Sequence, residues 1–257
     1  MIFILLISCV PEASLNPPEG CTKYWKESFR LEITPEMIAD GDTFYLDGKG
    51  YRVVGVDTPE IHNGGKPKGQ LGEEAKEYFE WWVEEFHESV LSVGEDRYGR
   101  ELVYLFGTDG SAVYFYEASV TEMGLARPLI YEKNSVPDLI EDIVDAYRRA
   151  WKERKGIFSL WESAPVIRGG SNWESYIGKI VWLEDRVESI FTTGELYIAR
   201  GNFASFIARK DGYRCMFGDF DFRSLEGKTV RVYGELWEYD GHPEIMVRAP
   251  FEIVVIH

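Results

Sequence analysis

Apolar residues recur along this chain with two periods, and the change from one to the other marks its elements. Residues 29–33 (Phe-Arg-Leu-Glu-Ile) alternate apolar with polar, as a half-buried strand does. Residues 43–46 and 51–56 read as paired strands joined by the turn Asp47-Gly48-Lys49-Gly50. The period then becomes helical. Across residues 72–88, Ala75, Tyr78, Phe79, Trp82 and Phe86 share one face. Residues 94–100 are polar and turn-like, and 101–106 form another strand. Residues 113–123 predict a helix ending at Gly124, a residue suited to a left-handed cap. Residues 138–155 predict a longer helix with Leu139, Ile140, Ile143, Tyr147 and Trp151 on one side, stopping at Gly156. Beyond a Pro- and Gly-bearing stretch the period-2 pattern returns in residues 176–190, 195–199, 205–209, 229–237 and 244–247, with a tight turn at Asp240-Gly241. The expectation is an α+β domain over 23–161, a linker over 162–170, and a mostly β second small barrel over 171–257.

Composition narrows the class. A hydrophobic share of 45% supplies a packed core and excludes a disordered or fibrous chain. The three cysteines, Cys9, Cys21 and Cys215, form no CxxC pair, which argues against a zinc site or a disulfide framework. Residues 1–22 read as a leader and tether. A short apolar run leads into Leu6-Ile7-Ser8-Cys9, which resembles a bacterial lipoprotein box, although no Lys or Arg precedes the run. The expectation is an exported protein, extracellular or periplasmic, anchored to a membrane through lipidated Cys9.

Chemistry gathers in the connections of the first domain: Asp40-Gly41-Asp42-Thr43, then Arg52 with Asp57-Thr58-Pro59-Glu60, then Asp96-Arg97-Tyr98-Gly99-Arg100. Each alone is an ordinary turn, cap or loop. In this order, and followed by Gly72-Glu73-Glu74-Ala75, Gly124-Leu125-Ala126 and Lys155-Gly156-Ile157, they closely resemble the staphylococcal (thermonuclease) nuclease family over residues 29–161. The resemblance implies a five-stranded OB-type barrel with three helices. It also implies a phosphodiester hydrolase acting on DNA, RNA or both with Ca2+. Asp42, Asp57 and the Thr58 carbonyl would be metal ligands. Arg52 and Arg100 would bind the scissile phosphate, and Glu60 would activate or orient water. Asp40, Arg97 and Tyr131 would flank the substrate: an acidic neighbour, a phosphate-side cation and a stacking ring. The chemistry agrees. Ca2+ takes oxygen ligands in a flexible shell, and guanidiniums suit a phosphate gaining negative charge.

The chain departs from the family pattern. The loop 61–70 has its own sequence, with His62, Lys66 and Lys68, and of the family's stacking tyrosine pair only Tyr131 remains, in Arg127-Pro128-Leu129-Ile130-Tyr131. The second domain resembles nucleic-acid-binding OB modules through residues 225–247, which makes Phe203, Phe206, Arg209, Tyr213 and Arg214 candidates for strand contact. The alternative is a non-catalytic or weakly catalytic nucleic-acid-binding lipoprotein engaged in uptake. Retention of both arginines and all the acids favours catalysis. No protein partner can be inferred.

The net charge of -16 at first excludes a polyanionic partner, because nucleic-acid binders usually carry basic patches. Residues 23–161 hold 17 basic against 27 acidic side chains, and residues 162–257 hold 11 against 15. Much of that acid lies on helix faces free to point away from the site. The charge therefore predicts weak non-specific affinity and a shallow salt dependence.

Overall fold

The computed structural model describes residues 21–61 and 67–256. The leader with Cys9, and His62 and Lys66 of the loop, lie outside the described residues. Among those described, no helix is long and apolar enough to cross a membrane.

After α1 (Cys21–Glu27) come β1 (Phe29–Arg30), β2 (Ile38–Asp40), β3 (Thr43–Leu46), β4 (Lys49–Val53) and β5 (Gly55–Asp57). Then follow α2 (Gly72–Glu85), β6 (His87–Glu95), β7 (Glu101–Thr108), β8 (Val113–Phe115), α3 (Tyr116–Glu122), β9 (Arg127–Leu129) and α4 (Pro137–Glu153). The sheet order is β1-β6-β7-β4-β3-β2, with β8 on β7. This is an OB-type unit in which β4 and β7 pair in parallel and α2, α3 and α4 supply the helices. Trp82 of α2 is fully buried against Phe86 and Tyr116, which is the reason the apolar face read from the sequence is helical.

The expected strand 51–56 is broken. Gly55 has φ +81, and a Cβ there would stand 2.7 Å from Ile143 Cδ1 of α4. Only glycine takes this left-handed, crowded position at low cost. The break lets β5 leave the main sheet and pair with β9, Asp57 opposite Arg127. Other boundaries shift for local reasons. Helix α2 ends at Glu85, and His87–Glu95 is a strand, because its backbone pairs antiparallel with β7. The predicted helix 113–123 begins with three strand residues. Helix α4 is capped by Arg154 in the left-handed conformation, not by Gly156.

The second unit contains β10 (Val166–Ile167), β11 (Ile180–Thr192), β12 (Leu196–Gly201), β13 (Ser205–Arg209), α5 (Tyr213–Phe217), β14 (Thr229–Glu235), β15 (Trp237–Tyr239), β16 (His242–Met246) and β17 (Ile253–Ile256). Its order is β15-β16-β13-β12-β11-β14-β17. Strand β11 serves two partners. Residues 180–186 pair with β14 and residues 187–192 with β12, across a register shift after Val187. A bulge bends and twists a strand, and here the mostly β sheet curls into a half-barrel. The short β10, in the stretch read as a linker, pairs in parallel with β11.

The two units share one apolar core. Trp151 stacks on Phe251 with centroids 4.6 Å apart, and Trp161 meets Trp182 at 4.5 Å and Tyr233 at 4.7 Å. Aromatic pairs add about 0.5–1.5 kcal/mol each beyond area burial, so this seam joins the units firmly.

The unforeseen strand β6 carries a buried acid. Glu88 is 7% exposed, and desolvation pushes its carboxyl up to about 7, while backbone hydrogen bonds at Glu88 and Ile33 pull the other way. Between the ordinary value of 4.5 and about 7 the folded chain holds this proton more firmly than the unfolded chain. Stability therefore falls as pH rises through that window. Glu88→Gln is expected to match the wild type near pH 4 and to exceed it at pH 8 by about 1–3 kcal/mol in urea denaturation. Parallel stability curves across that range would refute the assignment.

Candidate active site

The first acidic turn is held by close packing. A Cβ on Gly41 would stand 2.8 Å from both Ala75 Cβ of α2 and Thr58 Cγ2, while Tyr116 Oη donates to the Gly41 carbonyl at 2.6 Å. The turn thus seats against helix α2 and the segment after β5. That brings Asp42 to Thr58, whose N–H and Oγ1 donate to Asp42 Oδ2 at 2.8 and 3.0 Å. Thr43 Oγ1 donates to Asp42 Oδ1 at 3.1 Å, and the Asp42 N–H donates to Asp40 Oδ1 at 3.1 Å. Asp42, Thr43, Asp57 and Thr58 are all buried.

Arg52 of β4 links the two buried acids. Its Nη1 pairs with Asp42 Oδ1, and its Nη2 lies 3.3 Å from Asp57 Oδ1 and donates to the Val56 carbonyl at 3.2 Å. Burial pushes the Asp40 carboxyl above its usual range, against the opposing pull of Arg52 and Arg100. Arg100 is anchored by Asp96, which accepts from its Nε at 2.9 Å and from its N–H at 3.0 Å. Asp40, Asp42, Arg52, Asp57 and Thr58 are therefore linked through a chain of hydrogen bonds and ion pairs, with Arg100 in electrostatic reach of Asp40.

The other candidates lie around this cluster. Glu60 is half-buried, past Pro59 from the acid cluster, and its carbonyl accepts from Gly69 N–H at 2.8 Å. Arg97 is exposed on the loop, with its guanidinium over the Tyr98 ring at 4.8 Å. Tyr131 is 47% exposed at the junction of the two units, where the Arg209 guanidinium of β13 covers its ring at 4.2 Å. Of the second-unit candidates, Phe206 is fully buried and cannot offer a face to a base, because β13 is buried on both faces around it. Phe203 and Tyr213 are half-buried, and Arg214 is exposed.

A second buried network escaped the sequence reading. Arg248 follows β16; its Nη2 donates to Asp57 Oδ2 at 2.9 Å and its Nη1 to the Pro128 carbonyl at 3.0 Å. Glu252 is fully buried; its Oε1 accepts from Arg127 Nη2 at 3.0 Å and from Tyr147 Oη, and its Oε2 from the Arg248 N–H at 2.6 Å. Burial pulls Arg248 below the ordinary arginine value, while the charge of Asp57 holds it up. The only signal in the sequence is a charged residue inside an apolar strand region, and that does not name a partner.

The donor chemistry suits a hard cation. Two buried carboxylates, with no His or Cys, already converge on one positive group, the Arg52 guanidinium. Among the described residues no cluster of three or more His, Cys, Asp or Glu is set to hold a metal, so the candidate set is two carboxylates and a backbone carbonyl.

The fold is of OB type, and comparison with known proteins assigns it to a family. Residues 51–162 match the model of the staphylococcal nuclease homologue family. A thermonuclease of Staphylococcus hyicus is 30% identical over 165 residues, covering 62% of this chain and 91% of that protein. An uncharacterised protein of Methanocaldococcus jannaschii is 27% identical over 192 residues, covering 62% and 91% respectively. The chain belongs to the staphylococcal nuclease homologue family. That membership supports a nuclease-type function.

Proposed function

We propose that the protein is a Ca2+-dependent nuclease that hydrolyses phosphodiester bonds of DNA, RNA or both. The observation that carries this reading is the convergence of Asp42, Asp57 and Arg52, with Arg100 acting on the same acidic turn. Asp42, Asp57 and the Thr58 carbonyl would hold the cation, which supplies positive charge to a phosphate oxygen. Arg52 and Arg100 bind the phosphate, and guanidiniums can grip it through two parallel hydrogen bonds. Glu60 orients or activates the attacking water from its place three residues beyond Asp57. Arg97 adds positive charge on the substrate side. Purified full-length protein on labelled DNA and RNA, with Ca2+ or with EGTA, tests this. Cleavage in Ca2+ that EGTA abolishes is expected; cleavage indifferent to EGTA, or none with any cation, would overturn it.

The second unit aids binding through the junction. Tyr131 with Arg209 offers an exposed ring backed by a cation, a platform on which a base can stack. Tyr131→Ala is expected to weaken single-strand binding by about 1–3 kcal/mol, the worth of one stacked base. Fluorescence anisotropy reads this, and an unchanged Kd would remove Tyr131 from the substrate path.

The reading includes export and lipid anchoring at Cys9, supported by the box Leu6-Ile7-Ser8-Cys9 and the Pro-rich tether after it. Recovery of the full chain only in the soluble fraction of cells would contradict the anchor.

A further inference from the structure

Among the described residues, the two acids that would hold the cation each face a guanidinium, with Asp40 and Arg100 within electrostatic reach. Asp42 and Asp57 contribute two negative groups, and Arg52 and Arg248 contribute two positive ones. Arg52 touches one oxygen of each acid. Asp42 Oδ2 is held by Thr58, and Asp57 Oδ2 by Arg248. Three of these groups lie inside the family-matched residues 51–162 or in the turn just before them, whereas Arg248 comes from the second unit.

We propose that Arg248 is a positioning residue for the cation site: it aims the Asp57 carboxylate and, by its charge, sets a weak affinity for divalent cations. The second unit thereby determines the cation concentration at which the nuclease site fills. This rests on the reading that Asp42 and Asp57 hold Ca2+.

Two features carry the proposal. The first is placement. Arg248 is 5% exposed, and its position is fixed from both ends. Its backbone N–H is held by Glu252, Glu252 is held by Arg127 and Tyr147, and Arg127 stands opposite Asp57 in the β5–β9 pair. The path from Asp57 through β9, Arg127, Glu252 and Arg248 returns to Asp57, so the guanidinium cannot drift from the carboxylate without disturbing a buried ion pair. The second feature is charge. Arginine remains protonated in proteins. In a buried site two unit charges at this separation interact far more strongly than in water. Loss of the Arg248 charge makes the surroundings of the two acids more negative by one unit, so an approaching dication gains more on binding.

The test is calorimetric titration of Ca2+ into the full chain, with thermal melting as a check on folding. Arg248→Gln keeps a hydrogen-bond donor and drops the charge; Arg248→Met drops both; Arg248→Lys keeps the charge. Gln and Met variants are expected to bind Ca2+ about tenfold or more tightly, and Lys to stay within about threefold of the wild type. A purely structural role lowers the melting temperature and does not sort affinity by charge. If the Met variant does not fold, the Gln and Lys pair decides. Wild-type affinity, or weaker, in the folded Gln variant overturns the proposal and leaves the Ca2+ reading standing. Absence of Ca2+ binding in the wild type and in every folded variant overturns both, and Asp42→Asn in the same titration confirms that measured heat comes from this site.

Discussion

Glu252→Ala is expected to cost about 3–5 kcal/mol of folding stability, the typical loss when one partner of a buried ion pair is removed. The expectation follows from what remains. Arg127 is buried, and without Glu252 its guanidinium keeps only the Tyr147 hydroxyl and the Met246 carbonyl. The Tyr147 hydroxyl and the Arg248 and Ala249 amides lose their acceptor as well. Burial raises the Tyr147 hydroxyl far above the usual tyrosine range, with the Glu252 charge acting in the same direction, so Tyr147 stays a neutral donor. Urea denaturation of the variant measures the loss. Glu252→Gln, which keeps an acceptor, should lose clearly less. A loss below about 1 kcal/mol in the Ala variant would mean that the network relaxes into water and does not hold the two units together.

The second large effect belongs to the chemistry. Glu60→Gln should lower kcat by about 10^2 to 10^4, the usual contribution of one positioned acid or base, with Kd for nucleic acid nearly unchanged. Gln keeps the shape and an acceptor oxygen but cannot take a proton. Gln matches Glu in size and Glu60 is not among the proposed cation ligands, so the variant should still fill the cation site in a Ca2+ titration. Single-turnover cleavage beside equilibrium binding separates the two effects. Full activity in the Gln variant would remove Glu60 from the mechanism and shift attention to the arginines.

The parts of this site that were legible in the sequence are those whose partners are near in the chain or locked by a local turn. Asp40-Gly41-Asp42 and Asp57-Thr58-Pro59 announce themselves because a glycine permits the tight turn in one, a proline restricts the backbone in the other, and the acids lie at short spacing. Asp96 and Arg100 pair within one loop. The failures are non-local. His87–Glu95 directly follows a helix and begins with polar residues, so the helical period seemed to run on; cross-strand pairing with β7 decided otherwise. The strand-like run 51–56 hid the break at Gly55, which the approach of Ile143 from α4 explains. Phe206 read as an aromatic platform because periodicity does not say that both faces of β13 are covered. Arg248 and Asp57 are 191 positions apart, and no local rule connects them.

That separation bears on the order in which the molecule is built. A ribosome releases β5 and β9 long before it reaches β16, so during synthesis Asp57 exists first without Arg248. Its second guanidinium arrives only when residues 248–252 emerge and dock. The aromatic seam follows the same schedule, since Trp151 and Trp161 wait for Trp182, Tyr233 and Phe251. The nuclease unit is thus left with an open apolar flank and an unfinished site for as long as the second unit is being made. Chaperone dependence and protease sensitivity should peak in that interval, and chains halted after α4 should be the vulnerable ones.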